Sequence, residues 1–277
     1  MSRIEKVTDD ILILTDVMPI DGRVSWLPPG AKGFEPYNAH VVLSDSTALL
    51  IDTGFAVHAP SLLPTLREVL GSRRLAVFGS RIELDSVGNL GRILEEFPNT
   101  IVGSANPIVP MTLVHTSEWK TPDAPFTKYV VGDHLTALGF PHIRVVDPII
   151  RTLGTTWLWD ERNEVLFSAD FFCSDMLARA DQSAVRKTGD ALIAPEGLRA
   201  TILSKFDWVG NADTRNLEMA WDALFSSIHP LAIVPIRGRV QYGRDLVKGV
   251  LADYRKALFD PEHSPGRSVF DATVAAT

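Results

Sequence analysis

The sequence contains almost no cysteine, since Cys173 is the only one among 277 residues. An intramolecular disulfide is therefore excluded, and the composition suits a reducing compartment, so we expect a cytoplasmic protein. The sequence also lacks an apolar run approaching the roughly 18 residues that a membrane span needs. Its first 16 residues mix acidic side chains with a short apolar run, which is not the pattern of a signal peptide.

Positive charge is in deficit, because 27 Lys and Arg residues face 34 Asp and Glu residues and give a formal net charge of −7. We do not expect nucleic acid or an anionic membrane to be the main partner of such a chain. A hydrophobic fraction of 45% and a charged fraction of 22% are ordinary for a folded protein with a large core. We expect one domain over residues 1–260 and a frayed tail over residues 261–277, which are rich in Pro, Gly and Ala.

Paired histidines are missing as well. The sequence has seven histidines: His40, His58, His115, His134, His142, His229 and His263. No two of them have the spacing of two to five residues that metal sites favour. A lone histidine is more often a hydrogen-bonded structural residue than a chemical group. The sequence also lacks a G-x-S-x-G motif, although Ser86 could act as a nucleophile if His229 or another base lay beside it.

Short apolar runs and amphipathic segments alternate along the chain. The apolar runs predict strands at Ile11–Thr15, Asn38–Leu43, Ala48–Ile51, Leu75–Phe78, Ile101–Gly103, Ile143–Val146, Thr155–Trp159, Glu164–Ser168 and Ala232–Ile236. The amphipathic segments predict helices at Pro60–Leu70, Asn89–Phe97, Ala191–Phe206, Asn216–Ser226 and Asp245–Phe259. Hairpins followed by strand–helix units occur twice, in roughly equal halves. This order predicts two β-sheets packed face to face with helices outside.

Two stretches lack a regular pattern. Residues 17–36 are rich in Pro and Gly around Trp26, and a loop of this length is usually a lid or a binding loop. Residues 104–127 form a second irregular stretch. Four tryptophans could line an aromatic pocket, namely Trp26, Trp119, Trp157 and Trp159. Alternation places the last two on one face of a strand, where packing in the core is at least as good an interpretation.

Three segments resemble, in the same order, motifs of the metallo-β-lactamase superfamily. IDTG at residues 51–54 is similar to the second-strand motif whose aspartate braces the metal loop. LFSAD at residues 166–170 is similar to the strand that ends in the bridging aspartate, here Asp170. VPIRG at residues 234–238 is similar to the last metal-loop strand. The resemblance spans roughly residues 5–258 and implies the metallo-β-lactamase fold, an αββα sandwich.

A fourth segment, SRIELDSVG, lies between a predicted strand and a predicted helix. The superfamily has His-x-His-x-Asp-His-x-Gly there, and a glutamate replaces the second histidine in the flavodiiron and oxygen-binding diiron branch. Glu83, Asp85 and Gly88 are similar to that branch. Arg81 and Ser86 stand where it has histidines.

Further ligand positions also differ from the family pattern. Arg237 stands where the family has the histidine of the last metal loop, and the remaining histidine would fall near Arg151 or Thr152. Arginine stays protonated and repels a cation, so we expect no bound metal. We also expect no flavin, since the sequence ends without a flavodoxin domain. The resemblance implies seven vestigial metal positions: Arg81, Glu83, Asp85, Ser86, Arg151, Asp170 and Arg237. We expect the carboxylates and guanidinium groups among them to form a buried salt-bridge cluster.

Two classes of function fit this pattern. In the first, the chain is a non-metal subunit that assembles with a metal-bearing homologous subunit, and Trp26 projects into the partner's cleft. In the second, it is a metal-independent hydrolase or lyase of a small, for example aromatic, substrate. Arg81 and Arg237 would then stabilise negative charge, and Glu83 or Asp170 would be the general base. A ligand-binding sensor is a third interpretation that the sequence does not separate from these.

Overall fold

The computed structural model describes residues 1–22, 26–106, 124–152, 154–187 and 195–260. Two seven-stranded β-sheets pack face to face, with helices against their outer faces. This is the αββα sandwich that the sequence predicts. Within the described residues, no helix combines the length and the apolar character needed to cross a membrane.

The first sheet is antiparallel from β1 to β4 and parallel from β4 to β7. Its strands follow the chain order across the sheet: β1 (Arg3–Lys6), β2 (Ile11–Pro19), β3 (Phe34–Leu43), β4 (Thr47–Ile51), β5 (Arg74–Gly79), β6 (Ile101–Ser104) and β7 (Phe126–Lys128).

The second sheet is mixed and has the strand order β12-β14-β13-β11-β10-β9-β8. Its strands are β8 (His134–Leu135), β9 (Phe140–Val146), β10 (Trp157–Asp160), β11 (Val165–Phe167), β12 (Val185–Arg186), β13 (Ala232–Val234) and β14 (Val240–Tyr242). A hairpin turn joins β10 and β11, and the Asp160 carboxylate accepts hydrogen bonds from the backbone N–H groups of Arg162 and Asn163.

Six α-helices complete the described fold: α1 (Ala59–Leu70), α2 (Leu84–Val87), α3 (Leu90–Glu96), α4 (Pro195–Lys205), α5 (Arg215–Ser227) and α6 (Arg244–Phe259). Alternation along the strands divides the core into layers. Val42 on β3 lies between the sheets, while its neighbour Val41 packs in the cluster that contains α1 and α3. A third cluster joins the second sheet to α4, α5 and α6, and it includes both Trp157 and Trp159. The core interpretation of these two tryptophans is therefore confirmed.

The structure corrects several predicted boundaries. β2 continues to Pro19 and β3 begins at Phe34, and these two residues pair. The stretch between the strands is therefore 20–33 rather than 17–36, and its residues 23–25 lie outside the described residues. The predicted irregular stretch 104–127 contains the start of β7, and its residues 107–123, with Trp119 and His115, lie outside the described residues. Part of the helix predicted at Ala191–Phe206 also lies outside them, and the described helix begins at Pro195.

Candidate functional site

Four strand ends converge at one edge of the sandwich. The segments after β4, β5, β11 and β13 carry Asp52, Arg81, Asp170 and Arg237 respectively. β3 joins the two sheets there, because its Asn38 N–H donates to the Ile236 carbonyl at 2.8 Å. Residues separated by nearly 200 positions in sequence therefore meet at this edge, and all four superfamily-like motifs contribute to it.

Arg81 lies at the centre of the site with its side chain fully enclosed. Its Nη1 lies 2.9 Å from Asp170 Oδ2 and 3.4 Å from Asp85 Oδ2, and its Nη2 contacts the carboxylate of Glu83. Lys205, the last residue of α4, places its Nζ 2.5 Å from the same oxygen of Asp170. The Asp170 carboxylate thus forms salt bridges with two cations at once.

Arg237 forms the second half of the site. Its Nη1 lies 3.2 Å from Glu35 Oε1 and its Nε lies 3.5 Å from Asp85 Oδ2. The Tyr37 hydroxyl donates to the other Glu35 oxygen at 2.6 Å. Asp85 bridges the two arginines and so connects all these groups. We call them the charged cluster: Glu35, Arg81, Glu83, Asp85, Asp170, Lys205 and Arg237.

Ser86 lies beside the cluster and binds a different carboxylate. Its hydroxyl donates to Asp52, which also accepts the Ser80 N–H at 2.9 Å and the Ser80 hydroxyl at 2.7 Å. Burial raises the pKa of Asp52 to about 6, although the bonds from Ser86 and Ser80 counteract the effect. The hydroxyl is therefore hydrogen-bonded to a buried carboxylate and not to His229. A nucleophilic role for Ser86 stays a prediction.

The backbone of the motif loops adopts unusual conformations. Asp52, Ala169 and Phe172 have φ values of 62°, 49° and 60°, in the left-handed region that costs a non-glycine residue energy. The loops also approach each other closely at Gly88, where an added Cβ would lie 2.4 Å from one carbonyl oxygen and 2.7 Å from the Gly54 oxygen. Such shapes persist only where surrounding packing enforces them, so the scaffold of the site is tightly specified.

The electrostatics of the cluster favour mutual pairing. Burial alone raises the pKa of Asp170, but Arg81, Lys205 and Arg237 outweigh it and hold the pKa below its ordinary value. Burial lowers the pKa of Lys205 to about 8, an effect that Arg237 strengthens and Asp170 opposes. At neutral pH both partners are charged. Four carboxylates then face three cations, so the interior is close to neutral.

Trp26 covers this cluster. Its ring centroid lies 4.1 Å from the Arg237 guanidinium carbon and 5.8 Å from Lys205 Nζ, and the ring stacks on Phe55. The cavity beneath it has a volume of about 30 Å³, which is room for water but not for a substrate. Cation–π attraction thus holds the ring against its own chain. Contact between Trp26 and a partner subunit stays a prediction.

The structure places Arg151 outside the cluster. Its Nη1 lies 2.9 Å from Asp147, four residues earlier, and both side chains are more than half exposed. Arg151 pairs with Asp147 because reaching the charged cluster would require the burial of a third guanidinium group. The neighbouring Thr152 hydroxyl instead reaches Asp170 Oδ2 at 3.4 Å.

Sequence reasoning missed Glu35 and Lys205. Glu35 is fully buried on β3, but it precedes the predicted strand Asn38–Leu43 and lies in the stretch predicted to be irregular, so no local pattern marked it. Lys205 carried no signal either, because only the packing of α4 brings it to Asp170.

Other predicted features have structural roles. His40 is fully buried, its Nε2 lies 3.1 Å from the Pro235 carbonyl oxygen, and burial lowers its pKa to about 4, so it is a neutral core residue. Burial raises the pKa of Cys173 to about 11, so its thiol is protonated at neutral pH. His263 lies outside the described residues.

Comparison with known proteins identifies the family. A family model described as metallo-beta-lactamase superfamily matches residues 33–204, which is more than half of the chain. The chain therefore belongs to the metallo-β-lactamase superfamily. No curated protein matches the sequence significantly.

Solved structures agree on the fold. Rubredoxin oxygen:oxidoreductase from Desulfovibrio gigas has 19% identity and a TM-score of 0.66, over 92% of this chain and 61% of that one. The Flv1 flavodiiron core from Synechocystis sp. has 16% identity and a TM-score of 0.69, over 93% and 60%. A metallo-beta-lactamase from Pontibacter korlensis has 15% identity and a TM-score of 0.54, over 93% and 99%. The chain thus spans about 60% of the two flavodiiron-type chains.

The residues of this site do not suit the metal that the superfamily implies. Arg81, Lys205 and Arg237 already place positive charge against the carboxylates, and a guanidinium cannot be a ligand because it stays protonated. Across the ranges that the structure describes, no group of three or more His, Cys, Asp or Glu side chains is arranged to hold a metal ion.

We predict that the purified protein binds no stoichiometric iron, zinc or manganese, because Arg81, Ser86 and Arg237 offer no imidazole. Elemental analysis after dialysis against each metal checks this, and thermal unfolding should be the same with and without a chelator. About one or two tightly held metals per chain would contradict the prediction.

Proposed function

We propose that this chain is the non-metal subunit of a hetero-oligomeric, hydrolase-type enzyme whose homologous partner subunit carries the metal. The observation that supports it best is the pairing of Asp85 and Asp170 with Arg81, Lys205 and Arg237 beneath Trp26. Metal binding or proton transfer by these carboxylates would leave buried cations without partners, at a large energetic cost. The chain therefore contributes its fold and its surface rather than chemistry.

The state of the scaffold supports the same proposal. The motif loops keep left-handed conformations at Asp52 and Ala169, which are costly unless the fold maintains them. A subunit that completes an assembly needs its fold and its contact surface, and both can be retained while metal-binding imidazoles are replaced.

The metal-independent hydrolase is less well supported. Its general base would be Glu83 or Asp170, but Asp170 is enclosed with a lowered pKa, and Glu83 already contacts Arg81. Arg81 and Arg237 are themselves paired with carboxylates, and Arg237 lines a water-sized cavity beneath Trp26 rather than a substrate pocket.

Co-expression tests the proposal. This chain should be produced with and without a homologue encoded beside it that retains an intact His-x-Glu-x-Asp-His motif. Size-exclusion chromatography with light scattering should show a mixed oligomer, and elemental analysis should assign its metal to the homologue. Hydrolytic activity, screened with a panel of ester, amide and lactone substrates, should require the complex.

Glu83→Gln in this chain separates the two functions, because Glu83 is the half-exposed carboxylate of the cluster and tolerates replacement better than the buried ones. The proposal expects turnover by the complex to stay within about twofold of the parent, whereas loss of a general base costs roughly a hundredfold or more. Asp45→Ala, in an exposed turn, is the control. Turnover by this chain alone, abolished by Glu83→Gln, would reject the subunit role in favour of the hydrolase.

A further inference from the structure

A second concave region lies on the outer side of the second sheet and shares no residue with the charged cluster. It is a groove of about 550 Å³, a volume typical of small-molecule sites. Val146 of β9 and the following residues Pro148 and Ile149 form one side of it. Trp208 and α5 form the other.

The helix side of the groove is apolar. Leu217, Ala220 and Leu224 follow one another at spacings of three and four residues, which places them on one face of α5. Ala220 is small and leaves space between the two leucines, and Trp208 keeps 38% of its surface exposed. Val131, 58% exposed, adds another unpartnered apolar surface. Exposed apolar surfaces grouped in this way mark binding sites more often than isolated ones do.

The opposite side carries positive charge that a ligand can reach. Arg151 and Arg144 both line the groove, against a single lining carboxylate, Asp147. Arg151 pairs with Asp147 at 2.9 Å, and their side chains are 57% and 63% exposed. An ion pair this exposed contributes about 0–1 kcal/mol, so another carboxylate can replace Asp147 at little cost. Arg144 pairs with Glu161, which does not line the groove.

We propose that this groove is a binding site for a small organic carboxylate with an apolar, ring-containing body. The body packs between Trp208 and the leucines of α5, and the carboxylate accepts hydrogen bonds from the guanidinium of Arg151, which a planar carboxylate fits in a bidentate manner. Displacement of the exposed Asp147 carboxylate frees Arg151 for the carboxylate of the ligand, and a neutral or cationic molecule of the same shape lacks this ion pair. The site is independent of the proposed subunit role.

Calorimetric titration of the full chain with 2-naphthoate and with its neutral isostere 2-naphthamide tests the proposal. We expect 2-naphthoate to bind at least about tenfold more tightly, the order of magnitude of a charge-assisted hydrogen bond. Arg151→Ala should remove that preference, and Trp208→Ala should weaken both ligands. Arg179→Ala is the matched control, because Arg179 is likewise an exposed arginine paired with a nearby aspartate, Asp181, at 3.0 Å, and it does not line the groove.

Circular dichroism should show that all three variants fold like the parent. Equal affinity for the acid and the amide, or no heat from either at millimolar concentration, would overturn the proposal. An equal effect of Arg179→Ala would also overturn it, since binding would then reflect general charge. A concentration-dependent dimer in sedimentation experiments, lost in Trp208→Ala, would assign the groove to a second copy of this chain instead.

Discussion

Replacing Asp170 by Ala is expected to lower the free energy of unfolding by about 3–5 kcal/mol, the usual cost of removing one partner from a buried ion pair. Asp170 is fully buried and accepts both Arg81 at 2.9 Å and Lys205 at 2.5 Å. Without it, Lys205 loses its carboxylate partner and Arg81 keeps only Asp85 and Glu83, in a buried site whose cavity of about 30 Å³ admits little water. Urea unfolding followed by circular dichroism measures the change.

Asp45→Ala is the control for this variant, since Asp45 is an exposed turn residue between β3 and β4. It should change the free energy of unfolding by less than about 0.5 kcal/mol. If both variants lose the same small amount, the cluster is solvated and its charges do not hold the site closed.

Replacing Arg237 by Ala should destabilise the protein by a similar amount, about 3–5 kcal/mol. Glu35 and Asp85 would both lose a cation, and Trp26 would lose the guanidinium on which its ring lies. Arg237→Lys should recover only part of the loss, because an ammonium cannot contact two carboxylates and an aromatic face with one planar group. Tryptophan fluorescence should additionally report the release of Trp26.

Arg151→Ala is the matched control, because the sequence alone assigned Arg151 and Arg237 to the same set of metal positions. Its exposed pair with Asp147 should contribute no more than about 1 kcal/mol. Comparable losses in the two variants would show that Arg151 belongs to the cluster after all and would contradict the arrangement described here.

Local sequence was sufficient for part of the site. Arg81 and Asp85 lie four residues apart, just before and inside α2, and Asp170 and Arg237 each follow a strand whose motif is recognisable, so their meeting follows from the family's topology. Glu35 and Lys205 could not be placed in this way. Glu35 contacts Arg237 across 202 positions, because β3 extends beyond its own sheet to pair with the segment after β13.

Competition between alternative interaction partners explains the remaining differences between the predicted site and the observed one. Arg151 has a carboxylate four residues away in its own loop, and pairing there leaves both charges in water, which costs less than burial in the core. The sequence around Trp26 predicts an irregular, aromatic loop but does not indicate what the ring covers. That depends on Arg237, which lies more than 200 residues later and reaches the ring only in the folded chain.

The sequence by itself determined the fold class, because strand alternation, helix periodicity and ordered motifs are local patterns that admit few packed arrangements. It also predicted that cations replace the imidazoles of the family pattern. Only the tertiary structure decided which carboxylates those cations meet, that Lys205 joins them, and that Trp26 closes the site. Ion pairs and cation–π contacts act over a few ångströms, so their partners are set by how strands and helices pack and not by their order along the chain.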